Sequence, residues 1–562
     1  MVRTGETDRA AAAALAEELG GLPLALEQAA AYCEQTSLDL AGYLDRYRRA
    51  HARLLQKGAV ATTWRLNLDQ AAAASPAAVQ LLRVAAFLAP EAIPPELFGA
   101  DPERLPAELS QAADDELALD EAIGALYRYS LVTRDHDGLR LHRLVQAVVR
   151  ADLADHEPAW AAMALQLVWA GFPANSREVA TWPTCQRLLA HALAVAGHAE
   201  RLDVAGERMG ELLDRSSRYL WARGQYQQAK PLAERALAAS LRALGSDHPA
   251  VADRHGGLGR VLLALGDLQG AKQQHELALA IGEATLGPNH STMAARHGDL
   301  GRVLRARGEL PEARAELKRA LAIGEATLGP NHPTMATLHS YLGLVLRSLG
   351  ELPGARVELE NALRIGKATL SSDHPDLANL HTYLGRVLRA LGDLTGARAH
   401  HERALAIGEA TTGPNHPDMA ARHNNLGRVL HNLGDLAGAR KEYERALAIG
   451  EITVGPDHYD MAARYKNLGN TLRGLGDLTG ARAQYERALA IAKAILGPDH
   501  PKLATWHKHL GGVLHALGDV PGAHAEYERT LAIDEATLGA AHPKVATDRR
   551  NLDRVRQELG GE

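Results

Sequence analysis

A chain of 562 residues exceeds one ordinary core, so several domains or a repeat array are expected. Apolar residues make up 46% but aromatics only 4%, with alanine and leucine dominant, which favours helices packed through small residues over a sheet-rich fold. A net charge of −6 excludes a global field that draws the protein to nucleic acid or anionic lipid, and two distant cysteines, Cys33 and Cys185, exclude a disulfide framework or a zinc module.

The start, "MVRTGETDRA", has no apolar signal core, and no run of about 18 apolar residues occurs, so a soluble cytoplasmic protein without a membrane partner is expected. The segment "LAEELGGLPLALEQAAAYCEQTSLDLAGYLDRY" reads as a helix, a Gly-Gly-Leu-Pro turn and a second helix. Within it, "GGLPLALEQAAAY" resembles the GLPLA motif of the NB-ARC class of signalling ATPases, the STAND proteins. That resemblance implies a helical NB-ARC remnant over 1–58, with Pro23 packing near an adenine.

Residues 59–155 carry helices and then "YSLVTRDHDGLRLHRLVQAVVRADL", where Leu131–Arg134 and Leu139–His142 are expected to pair as short strands about an Asp-Gly turn. Helices followed by a hairpin look like the winged-helix domain that follows GLPLA in that family. "LHRLVQ" then falls at its Met-His-Asp motif, which implies that His142 senses nucleotide phosphates, although Arg143 replaces the acid. No G-x-x-x-x-G-K-[ST] loop occurs, so hydrolysis has no phosphate cradle and no catalytic residue is assigned. The chain looks like the C-terminal part of such an ATPase. ATP or ADP is expected only if a nucleotide-binding domain is supplied elsewhere in the full-length protein. DNA reading is poorly supported, because the would-be recognition helix "ALDEAIGALYRYS" carries more acid than arginine. Residues 156–205, with Trp160, Trp169 and Trp182, are expected to be irregular linking helices.

From about 206 to the end the chain repeats every 42 residues. The unit from Pro333 places Met335, His339, Leu342, Leu346 and Leu349 on one helical face, stops at Gly350, and starts a second amphipathic helix with Leu352, Ala355 and Leu359. Such pairs cannot bury their faces alone, so neighbours must stack. Eight pairs and a final lone capping helix are expected over 206–562. The pattern Leu-Gly, Gly-Asp-Leu, Ala and Ala-Leu resembles tetratricopeptide repeats, and "RALAIGEATLGPNHP" looks like their longer kinesin-light-chain subtype. The expected class is therefore all-α: a right-handed α-solenoid preceded by a small winged-helix domain with a short β-hairpin.

Two histidine ladders follow the same ruler. His248, His290, His332, His374, His416, His458, His500 and His542 lie in "GPNHP"-like turns. Helices in neighbouring units sit about 10 Å apart, too far for equivalent imidazoles to share a metal, so no metal is assigned and the histidines are expected to cap or pack at helix entries. A second ladder, His255, His297, His339, His381, His423 and His507 with Tyr465 substituting once, falls on the apolar face as packed, hydrogen-bonded rings.

Polar columns on the first helix of each pair line the concave surface in this repeat class. They hold Arg302, Arg305, Tyr341, Arg347, Tyr383, Arg386, Arg389, Asn424, Asn425, Arg428, Lys466, Asn467, Arg473 and Lys508. Arginine forks suit carboxylates and asparagine suits an extended backbone, so this groove is expected to bind an acidic or carboxylate-bearing peptide or protein. The expected function is a non-enzymatic interaction and ligand-sensing module. The alternatives are a stand-alone scaffold and a DNA-binding regulator working through the winged helix.

Overall fold

The computed structural model describes residues 9–19, 23–53 and 58–560, which form two compact units, one ending at Leu286 and one beginning at Gly287. The turn glycines of GLPLA, with Leu22, lie outside the described residues. Pro23 opens a helix, where its missing N–H and fixed φ are no handicap.

The first unit starts with α1 (Arg9–Glu18), α2 (Pro23–Thr36), α3 (Leu40–Arg53) and α4 (Gly58–Ala74). Leu15, Leu19, Tyr32 and Tyr43 form their small core. Buried Asn67 donates to the carbonyls of Gln28 (2.9 Å) and Tyr129 (3.0 Å), so α4 is tied both to α2 and to the chain near Tyr129. Next come α5 (Pro76–Ala85), α6 (Ala107–Ala113), α7 (Glu116–Arg128), β1 (Thr133–Arg134), β2 (Leu139–Arg140) and α8 (Arg143–Leu153). The hairpin forms as expected, antiparallel with Thr133 opposite Arg140, but each strand is only two residues long. Asp135 closes the turn by accepting from the Asp137 and Gly138 amides, and Leu139 also bridges to Ile93, which no alternation in the sequence betrays.

The linking segment is more regular than its sequence suggests: α9 (Glu157–Gly171) and α10 (Trp182–Leu202) are long helices. Guanidinium groups cover their indoles, with Arg215 and Arg208 at 4.8 and 5.2 Å from Trp169, Arg83 at 5.5 Å from Trp160 and Arg223 at 5.1 Å from Trp182. These helices pack on α11 (Gly206–Ala222), Glu200 of α10 pairs with Arg235 of α12 (Tyr226–Leu244), and the array continues in the same unit through α13 (Pro249–Ala264) and α14 (Leu268–Leu286). The compact unit therefore closes after α14 and not at the start of the array.

The second unit is array alone. Its helices are α15 (Ser291–Arg307), α16 (Leu310–Thr327), α17 (Pro333–Ser348), α18 (Leu352–Thr369), α19 (Pro375–Leu391), α20 (Leu394–Thr411) and α21 (Pro417–Asn432). They continue as α22 (Leu436–Thr453), α23 (Tyr459–Gly474), α24 (Leu478–Leu496), α25 (Pro501–Ala516), α26 (Val520–Leu538) and the lone α27 (Pro543–Leu559). With α11–α14 this makes the eight pairs and final helix that the 42-residue ruler predicts.

The "GPNHP" turn works as punctuation. Gly413 takes φ +84°, beyond the reach of most side chains, and His416 is extended and accepts the Asp418 amide at Nδ1 (3.2 Å). The other seven turn histidines cap their helices in the same way. An aspartate caps the second helix where the sequence has Gly-Asp: Asp393 and Asp435 accept the amides of Gly396 and Gly438, whereas Glu309 and Glu351 make no side-chain cap. His416→Ala should cost about 1 kcal/mol and His416→Asn should restore most of it. Faster amide exchange in the first turn of α21, confined to the alanine variant, is the readout.

Candidate ligand groove

In the second unit, α15, α17, α19, α21, α23 and α25 present equivalent faces, and the predicted polar columns lie along them. Arg305, Arg347, Arg386, Arg389 and Arg428 are half-buried on four successive first helices. Among the described residues none of these five makes an ion pair with a carboxylate, so the solvated-pair arrangement usual for surface arginines does not apply here.

Their electrostatics reflect that isolation. Burial holds Arg305, Arg347 and Arg389 below the usual guanidinium range, and repulsion from neighbouring guanidiniums adds to it. Arg386 is pushed furthest, to about 10, by burial and then by Arg347, with Arg428 and Arg305 adding to the repulsion. Lys466 is lowered by burial and by Arg428. At about 10, even Arg386 keeps its proton at neutral pH, and no acid of the described residues pairs with the five arginines, so their positive charge is uncompensated.

The flanks are different. Arg302 lies 3.8 Å from Asp299 and 5.7 Å from the Tyr341 ring, and burial raises the Tyr383 phenol. Asn467 donates to Asn424 across adjacent repeats (3.0 Å), while Asn425 is half-buried beside them on α21. Arg473 is exposed. Lys508 has a structural task that its column does not show: its ammonium pairs at 2.7 Å with Asp548, which is 1% exposed on the capping helix, so it is not a spare groove cation.

Behind the groove, the second ladder finds its partners 19 residues on. His297, His339 and His423 bond Glu316, Glu358 and Glu442 at 2.6 Å, His255 bonds Gln274 at 2.7 Å, and His507 bonds Glu526. The bond from His297 holds the Glu316 carboxyl below its ordinary range. The repeats themselves carried this signal: where Tyr465 replaces histidine, Gln484 replaces the acid, and the phenol reaches Glu451 instead. In the repeat that carries Arg386 and Arg389, His400 stands in the acid's place, 2.8 Å from His381. Burial and the neighbouring His400 lower His381 to about 4.

Next to it, His401 is 1% exposed with neither ring nitrogen hydrogen-bonded, and burial together with Arg386 lowers it to about 3. Leu317 and Leu359 occupy the same column. His401→Leu should therefore raise stability by on the order of 1–2 kcal/mol. The native imidazole stays neutral while the unfolded one titrates near 6.5, so stability present above that value is lost as pH falls toward 3. His401→Leu should lessen this acid sensitivity, which thermal midpoints at two pH values will show.

In the first unit, a cleft of about 380 Å³ separates α2 from the hairpin and α8, lined by Glu27, Glu91, Ser130, Arg140, His142 and Arg143 among others. His142 is exposed there, and its Nδ1 caps α8 by accepting the Leu144 amide, the task of the eight turn histidines. Pro23 is exposed and is not among the residues lining the cleft. The exposed face of α7 shows Glu116, Asp120 and Glu121, a poor match to a phosphate backbone.

Seven overlapping segments, 209–284, 254–326, 291–368, 334–410, 376–452, 418–494 and 460–536, match the family described as tetratricopeptide repeat. The chain belongs to the tetratricopeptide repeat family. Residues 70–158, ahead of the tetratricopeptide array, match a domain of unknown function (DUF7779). A nucleotide-binding leucine-rich repeat (NLR)-like protein of Hyaloscypha variabilis is 27% identical over 257 residues; the match takes in 42% of this chain but only 24% of that protein's length. Among solved structures, a STAND protein with a tetratricopeptide repeat sensor from Pyrococcus horikoshii is similar in fold, with TM-score 0.59 at 12% identity over 92% of this chain and 73% of that one. The nearly identical TPR-like repeats of a Podosopora anserina protein named for kinesin light chain are 29% identical, with TM-score 0.29 over 35% of this chain and 94% of that one. Tetratricopeptide arrays serve as protein-interaction scaffolds, which indicates protein partners. No described helix is long and apolar enough to cross a membrane.

Proposed function

We propose that this chain is the ligand-sensing part of a STAND-type signalling protein, and that its groove on α15–α25 binds an acidic, carboxylate-bearing segment of a protein partner. The observation that carries this reading is the set of half-buried arginines on successive repeats, Arg305 to Arg428, without carboxylate partners among the described residues. Guanidinium forks take carboxylates bidentately, and Asn425 beside them offers amide donors and acceptors to an extended backbone. The fold shared with a STAND protein's repeat sensor, and the likeness to an NLR-like protein, supply the signalling context.

Nucleotide chemistry has no place in this reading of the chain by itself. The cleft beside His142 holds two glutamates among its lining residues, and the sequence has no phosphate loop. Fluorescence anisotropy with labelled glutamate-rich and lysine-rich peptide pools tests the groove. The glutamate pool should bind and the lysine pool should not; equal binding, or none by either, contradicts the proposal.

A further inference from the structure

The groove centre is richer in charge than a single carboxylate requires. Arg305, Arg347 and Arg389 repeat at the 42-residue period, Arg386 and Arg428 form a second row at the same period, and Arg386 and Arg389 share one face of α19. Five half-buried guanidinium groups thus lie on four consecutive first helices. Each acts on others of the set, and no acid of the described residues pairs with any of them.

Two further observations mark the same place as unfinished. The Nε of Arg347 is buried with no hydrogen-bond partner. Behind α19, His401 is buried with both ring nitrogens unpartnered, in a column where the two preceding repeats carry Leu317 and Leu359 and the next three carry Tyr443, Tyr485 and Tyr527. Orphaned donors of this kind are rare in a finished interior.

Resting on the reading of the groove as the ligand site, we infer that its centre seats a phosphoryl group carried by a phosphorylated segment of the partner protein. A phosphoryl group brings about two negative charges and three acceptor oxygens to one point, and several guanidinium forks can share them. A carboxylate brings one charge on two oxygens and leaves most of the cluster uncompensated. A polynucleotide fits less well, because the free charge is compact. Toward the N-terminal side Arg302 faces Asp299, and toward the C-terminal side the basic residues end at Lys466 and Arg473 on α23, because Lys508 is taken by Asp548, so the track is bounded within the array.

The test uses the 562-residue chain and three labelled peptide pools, degenerate except for a fixed central phosphoserine, glutamate or serine. The phosphoserine pool should bind at least about tenfold more tightly than the glutamate pool, and the double variant Arg386→Gln with Arg428→Gln should remove that advantage. Arg482→Gln, which takes an arginine from an outward i,i+4 pair with Glu486, should leave it intact, and far-UV circular dichroism confirms that each variant is folded. Equal affinity for phosphoserine and glutamate overturns the phosphoryl seat while leaving an acidic-peptide groove. Phosphoserine binding that survives the double variant overturns its location, and tighter binding of a single-stranded oligonucleotide that competes with the phosphoserine pool overturns the class of partner. Failure of all three pools removes the groove reading itself.

Discussion

Reversing the charge at Arg386 and Arg428 together should abolish binding of a glutamate-rich peptide and, in the same protein, raise the temperature of unfolding. Most substitutions destabilise, so the two effects moving in opposite directions would be diagnostic. Arg386 is lowered from 12.5 to about 10 by burial and then by Arg347. For a base whose folded value is depressed, the penalty is present in full below that value and is relieved only as pH rises through about 10 toward 12.5. At neutral pH the native chain therefore carries a strain on the order of 2 kcal/mol at this residue, once solvent in the open groove is allowed for. Glutamates at 386 and 428 replace repulsion with attraction toward Arg305, Arg347 and Arg389. The ligand loses two charge-assisted contacts of about 1.5–3 kcal/mol each, at least about a hundredfold in affinity. Calorimetric unfolding and anisotropy on one preparation check both halves. A variant that is less stable and still binds contradicts the assignment.

The largest loss of stability is expected at a glycine. A Cβ added at Gly343 would lie 2.7 Å from Leu359 Cγ and 3.2 Å from the Ala355 carbonyl oxygen, so α17 and α18 touch nearly backbone to backbone. Gly301 meets Leu317 and the Ala313 carbonyl in the same way one repeat earlier. A side chain can turn aside, but a helix backbone cannot, and Gly343→Leu must force the pair apart. The expected cost is about 3 kcal/mol or more, seen as a lowered thermal midpoint and weakened peptide binding, because each repeat orients the next. Gly197→Ala is the contrast: a Cβ there meets nothing within 4 Å, and removing a helical glycine should raise stability by about 0.5–1 kcal/mol.

The array was readable from sequence because its rules are local. Gly413 before Pro414, and His416 before Pro417, each act on the backbone within a few residues, and a 42-residue period repeats the lesson eight times. The face of α17 came from spacing alone. The features that stayed hidden need distance. The partners of the second ladder stand on the other helix of each pair, and because Gln274 faces His255 and His400 faces His381, comparing repeats gives only part of the pairing. Lys508 sits in a groove column yet serves Asp548, 40 residues on, in the capping helix. His142, which the resemblance implies as a phosphate sensor, also has a local task that the sequence did not show, repeating the cap of His416. The bridge from Leu139 to Ile93 and the indole–guanidinium contacts that order α9 and α10 depend on chain segments meeting in space, which no periodicity reports.

The affinity of the glutamate-rich peptide pool as a function of salt tests the groove most directly. Between about 50 and 300 mM sodium chloride it should fall at least about tenfold, since exposed charge pairs are screened within about one Debye length. In the protein with Arg386→Glu and Arg428→Glu no such dependence should remain. Equal affinity at both salt concentrations in the native chain would mean that the arginines of α15–α21 do not hold the ligand.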